Sequence, residues 1–275
     1  MPFFIISLAT YPNSKNPIQL MRAVFTYLSC IVLLCIVSTG CKEEVQELTP
    51  EPLSDYLSPQ PGKFIIYKLD STVFTQNGRT LEVHSYQEKV LVDQEITDNL
   101  GRPSFRIYRF LRDVAGQNPW VSAGSFLVTP GTTQTEIIED NLRSVRMILP
   151  MNVGQTWKGN RFLPANPYAS VFEFSDDNHI HLEDWEFNYA AKGESLTLNG
   201  KTVNDVLTIE GPDISVNAGI TDPASFGSRT LLLDKYAKNI GLVYQEYIMW
   251  EYQPNPGSSA FRVGFAIKRS MLDHN

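Results

Sequence analysis

Alternation with a period of two runs through most of the chain beyond residue 62, and this restricts the fold more than any other feature. Leu81, Val83 and Ser85 point one way while Glu82 and His84 point the other. Phe105-Arg106-Ile107-Tyr108-Arg109-Phe110-Leu111 alternates too, with two arginines among the aromatics. A period of two belongs to a strand, whose successive side chains leave opposite faces. Further β-prone runs cover 64–69, 120–128, 135–138, 145–149, 170–174, 180–187, 194–198, 203–209, 230–236, 242–252 and 261–267. Leu198-Asn199-Gly200-Lys201 marks a hairpin, because Asn-Gly tolerates positive φ at both central positions, and Gln76-Asn77-Gly78-Arg79 marks a second. No stretch of twelve residues carries a helical apolar stripe. The pattern predicts one antiparallel all-β domain over 62–275, of about twelve strands, as a sandwich, a closed barrel or a strongly curved half-barrel.

The strand over 244–252 is apolar on both faces. Tyr244, Glu246, Ile248, Trp250 and Tyr252 share one face; Gln245, Tyr247, Met249 and Glu251 share the other. Such a strand lies between two layers or lines a cavity. Aromatics make up 11% of the chain, and Trp120, Trp157, Trp185 and Trp250 with the tyrosines can build a core, a stacking platform for sugar rings or the lining of an acyl cavity. Trp250, Tyr252, Tyr247 and Trp185 are the expected ligand-binding residues.

The N-terminus has a different grammar. From Met21 the chain reads Met-Arg, an apolar run from Ala23 to Val37, then Ser38-Thr39-Gly40-Cys41. A basic start, a short apolar core and small residues before the cleavage point are the marks of a signal peptide, and the run is short for a transmembrane helix. Residues 1–20 precede this unit, and translation beginning at Met21 accounts for them. Segment 38–41 resembles a bacterial lipobox, although Ser38 stands where that pattern places Leu, Val or Ile. The resemblance implies cleavage before Cys41 and lipid on its thiol. The following Lys42-Glu43-Glu44 resembles the export signal of surface lipoproteins of the Bacteroidota. Prolines at 50, 52, 59 and 61 then suit a spacer. The expected organisation is a signal peptide over 1–40, a lipidated linker over 41–61 and the β domain over 62–275.

Two further segments, Tyr236-Ala237-Lys238-Asn239-Ile240-Gly241-Leu242-Val243 and Gly154-Gln155-Thr156-Trp157, resemble segments of uncharacterised Bacteroidota lipoproteins. Some of those have curved sheets like the periplasmic lipoprotein carriers. The resemblance implies a β-meander and carries no catalytic residues.

Charge and cysteine usage exclude several roles. The signal peptide holds Lys15 and Arg22 and no acid, so the remainder has 21 basic against 30 acidic residues. That balance argues against nucleic acid, which demands a basic face. No cysteine follows Cys41, so the exported part has neither a disulfide nor a cysteine metal site. His179, His181 and Glu183 share a face at strand spacing and form a candidate zinc set, while Asp176, Asp177 and Asn178 offer oxygen ligands for calcium. Glu183, Asp184 and Glu186 are candidates for a glycosidic carboxylate pair, which needs a separation of roughly 5 to 10 Å across a cleft. There is no Gly-x-Ser-x-Gly and no Gly-rich phosphate loop, and no cofactor is expected. The expected function is a lipid-anchored lipoprotein of the outer membrane, facing the surface or the periplasm. It would hold an apolar or glycan ligand, or an envelope protein, without catalysis. A polymer hydrolase is the alternative.

Overall fold

A computed structural model describes Met21 and residues 51–175, 182–255 and 257–275. Residues 50–275 form one compact unit. Cys41 and the segment around it lie outside the described residues, as do His179 and His181.

Twelve strands are described: β1 (Phe64–Phe74), β2 (Thr80–Thr97), β3 (Pro103–Asp113), β4 (Val121–Pro130), β5 (Gln134–Glu139), β6 (Leu142–Ile148), β7 (Thr156–Lys158), β8 (Glu186–Leu198), β9 (Lys201–Val216), β10 (Gly227–Ala237), β11 (Gly241–Gln253) and β12 (Phe261–His274). They form one antiparallel sheet in the order β6-β5-β4-β3-β2-β1-β12-β11-β10-β9-β8-β7. The chain therefore makes two meanders, joined where the first strand pairs with the last, with Leu69 opposite Arg269.

The hairpin signals hold. Leu198 pairs with Lys201 across Asn199 and Gly200, whose φ values of 48° and 82° are the left-handed pair that this sequence tolerates. One expected strand, 170–174, is absent, and the described part of 180–187 becomes strand only from Glu186. Segment 170–174 forms a turn and irregular chain, and Leu182–Asp184 is a short 3-10 turn ahead of β8. Tertiary contacts override the β propensity of the first. Phe172 packs on Phe265 at 5.6 Å between ring centroids and on Phe174 at 5.7 Å. Those rings gain more burial by covering β12 than by alternating in a strand.

The sheet curls until its edges meet. β6 and β7 are consecutive in sequence, so a short connection brings both edges together. The Val145 amide donates to the Gly159 carbonyl at 2.7 Å. Side chains take three further backbone groups of β6. The Trp157 indole donates to the Val145 carbonyl at 2.9 Å, and the Tyr189 hydroxyl accepts from the Ile148 amide and donates to its carbonyl at 2.8 and 2.6 Å. Trp157 and Tyr189 thus do what another strand would do for unpaired backbone groups. Of the three expected architectures, the nearly closed barrel is the one formed.

About eight strands give a barrel that side chains just fill, so a barrel of twelve needs extra filling. Residues from the expected linker 41–61 supply some of it: Leu53 and Tyr56 are buried in the core with Val145, Tyr189 and Tyr236. Lys238 pairs with Glu51 and Asp55, at 2.5 and 3.0 Å, and the Asn239 amide donates to the Asp55 carbonyl. The β10–β11 turn, whose sequence resembled other lipoproteins, therefore fastens the chain that enters the barrel.

Candidate functional site in the barrel interior

Alternation along each strand sends every second residue inward. Besides Glu251 of β11, which Ser175 holds, six charged residues at inward positions lie together: Glu88 (β2), Arg109 (β3), Glu139 (β5), Arg146 (β6), Asp234 (β10) and Arg269 (β12). With Gln245 of β11 they form a belt across the interior. Arg269 donates to Glu88 through Nε at 2.6 Å and Nη2 at 3.2 Å, and to Gln245 Oε1. Gln245 Nε2 donates to Asp234 at 2.7 Å. Arg109 bonds to Glu139 and lies 3.4 Å from Glu88. Arg146 Nη1 stands 3.7 Å from Asp234, beyond hydrogen-bond reach.

The chain distorts to place Arg146. Met147 pairs with Thr135 and Val145 with Glu136, so Arg146 is the extra residue of a bulge in β6. Bulges re-aim side chains and recur beside functional sites. Burial works against the charge on Arg269, and Glu88 outweighs it, so the pKa of Arg269 lies above its ordinary value. Burial likewise opposes the charge on Arg146 and Asp234 outweighs it. Burial, helped by Asp234 at Tyr236 and by Tyr168 at Tyr247, pushes both phenols well above theirs. Arg146 and Arg269 are therefore charged, and the two tyrosines neutral, near pH 7.

The belt separates two cavities. The first, of about 140 Å³, is lined by Ile65, Val90, Val92, Ile107, Phe126 and Val128 and reaches the surface beside exposed Ser58 and Asn275. The second, of about 240 Å³, has a mixed lining that includes Ser144, Asn160, Tyr168, Tyr247 and Phe265. Arg109, Glu139, Arg146, Gln245 and Arg269 border both.

The expected ligand-binding aromatics are parted by the pleat. Tyr247 faces the second cavity, its hydroxyl 2.6 Å from that of Tyr168, and Trp185 packs edge-on against its ring. Trp250 and Tyr252, on the opposite face of β11, lie elsewhere. Trp250 meets Phe74, and buried Tyr252 donates its hydroxyl to the Pro223 carbonyl. Trp157 is core and Trp120 lies under the Arg112 guanidinium, so the four tryptophans serve separate neighbours.

Glu183 and Asp184 sit in the turn before β8, Lys158 pairs with Asp184, and Glu186 is exposed. None of the three lines either cavity. Among the described residues no group of three or more His, Cys, Asp or Glu is arranged to hold a metal; the proposed His179 and His181 ligands are not among them.

No protein-family model and no curated protein matches this sequence. Among solved structures, the chain is similar to a protein from Bacteroides fragilis described as exported and as having a YmcC-like fold. The identity is 11% and the TM-score 0.37, over 79% of this chain and 99% of that one.

The belt is what the sequence pattern failed to single out. Arg106 and Arg109 stood out as charges in an aromatic strand, and the structure turns them opposite ways. Arg106 pairs outside with Asp93, while Arg109 enters the belt. A charge at an inward position of an otherwise apolar strand was the available signal, as in Leu233-Asp234-Lys235-Tyr236.

Proposed function

We propose that this protein is a lipid-anchored, extracytoplasmic binding protein whose barrel takes a small apolar ligand in the first cavity. The observation that carries this reading is the run of Ile65, Val90, Val92, Ile107, Phe126 and Val128 around a cavity that reaches the surface. An apolar cavity of about 150 Å³ is enough to hold a benzene ring, so a ring or a short alkyl chain is the scale of ligand. The interior carboxylates do not favour hydrolysis. Glu88 is held by Arg269, Glu139 by Arg109 and Asp234 by Gln245, so none stands ready to meet a sugar.

The anchor rests on the resemblance of segment 38–41 to a lipobox, and its place would be the outer membrane, at the surface or the periplasmic face. Cys41→Ala should abolish acyl labelling and release the protein; continued labelling would remove the anchor from the reading. For the ligand, the unlipidated chain from Cys41 onward is heated with octanol, toluene or a panel of oligosaccharides. A ligand that binds only the folded state stabilises it by about 2.7 kcal/mol at a hundredfold excess over Kd. A dose-dependent rise with octanol or toluene supports the apolar site. A rise with oligosaccharides alone, or with nothing, overturns it.

A further inference from the structure

We propose that Arg146 binds the anionic head of a single-chain amphiphile whose tail lies in the first cavity. This rests on the apolar-ligand reading above and adds the head group to it.

Two observations converge on Arg146. Its Nη1 is buried and has no hydrogen-bond partner among the described residues. A guanidinium carries five N–H donors, and leaving them unmet in a low-dielectric interior is costly. The neighbouring arginines do not share this condition. Arg269 engages Glu88 and Gln245, and Arg109 engages Glu139. Arg146 has the 3.7 Å approach to Asp234 and the face of Phe187, 5.9 Å from its guanidinium carbon. Second, Arg146 is the bulged residue of β6 and borders both cavities. A monoanion meets this need, because the planar fork of Arg matches carboxylate and phosphate oxygens alike. The apolar walls beside it call for an alkyl tail.

The test compares octanoate, octyl phosphate and octanol on the unlipidated chain from Cys41 at pH 7, by calorimetry. One or both anions should bind at least tenfold tighter than octanol, and the tighter of the two names the head. Arg146→Met should bring that anion down to the affinity that the same variant shows for octanol. Equal affinities in the native protein overturn the head-group assignment while the apolar site stands, and no binding by any of the three sinks both. An anion preference that survives Arg146→Met also overturns it. Should that variant not fold, ¹⁵N-arginine side-chain spectra of the native protein decide the matter. Octanoate must perturb the Arg146 Nε–H signal, and perturbation of Arg109 or Arg269 alone refutes the proposal.

Discussion

Two arginine–carboxylate networks lie on opposite faces of the same wall, and they differ in completeness. On the outer face, Glu136 is almost fully buried yet meets Arg102 twice, at 2.8 and 3.2 Å, Arg143 at 3.2 Å and Gln134 at 2.6 Å. Arg102 also donates to Asp98 at 2.8 Å, whose other oxygen accepts the Leu100 and Arg102 amides. Every charge there has a bonded partner. On the inner face the belt runs from Glu139 through Arg109, Glu88, Arg269 and Gln245 to Asp234, and stops at Arg146 without a bond. A complete network is a structural fastening; an incomplete one beside a cavity is a place for a ligand.

The largest expected effect tests whether the belt also supports the fold. Arg269→Met leaves Glu88 buried without its main partner and should cost about 3 to 5 kcal/mol in urea unfolding. A loss below about 1 kcal/mol would mean that water enters and solvates Glu88. In the outer network, Arg102→Met should cost less, about 1.5 to 3 kcal/mol, because Glu136 keeps Arg143 and Gln134. A loss equal to that of Arg269→Met would erase the distinction in redundancy.

Acid separates the networks further. Burial raises the pKa of Glu136, and its bonds to Arg102 and Gln134 outweigh that, leaving it below its ordinary value of 4.5. The unfolded chain then takes up a proton before the folded one does. This contribution is complete above about pH 4.5 and is lost as the pH falls through the lowered folded value. Urea midpoints between pH 3 and 6 should fall more steeply with acid in the native protein than in Glu136→Gln; parallel curves would show that Glu136 gains nothing from its partners. The smallest effect belongs to Arg146→Met, at about 1 kcal/mol or less, since no hydrogen bond is lost and Asp234 keeps Gln245. A large loss there would make Arg146 a fastening like Arg102.

Much of the fold was legible because its signals are local. Alternation over 105–111 and the run over 242–252 mark strands, which the structure extends to Pro103–Asp113 and Gly241–Gln253. Asn199-Gly200 specifies its turn by backbone sterics alone. The candidate site was less legible. Tyr247 was singled out and lines the second cavity, and Trp185 packs edge-on against its ring, but Trp250 and Tyr252 shared the same aromatic signal and lie on the opposite face of β11. Aromatic content cannot tell an inward face from an outward one when both are apolar. Segment 170–174 misled for a related reason, since Phe172 and Phe174 are β-prone residues that find their burial on β12 instead.

By itself, then, the sequence determined the strands, the tight hairpins, the exclusion of disulfides beyond Cys41 and the acidic balance. Each follows from residue type and spacing along the chain. The tertiary structure decided that the sheet closes, through Trp157 and Tyr189 at the β6–β7 edge, and that Glu88, Arg109, Arg146 and Arg269, spread over some 180 positions, meet inside. Closure and convergence depend on twist and register summed over twelve strands. No single segment carries that information, because a side chain's partner across a barrel is set by every strand between them.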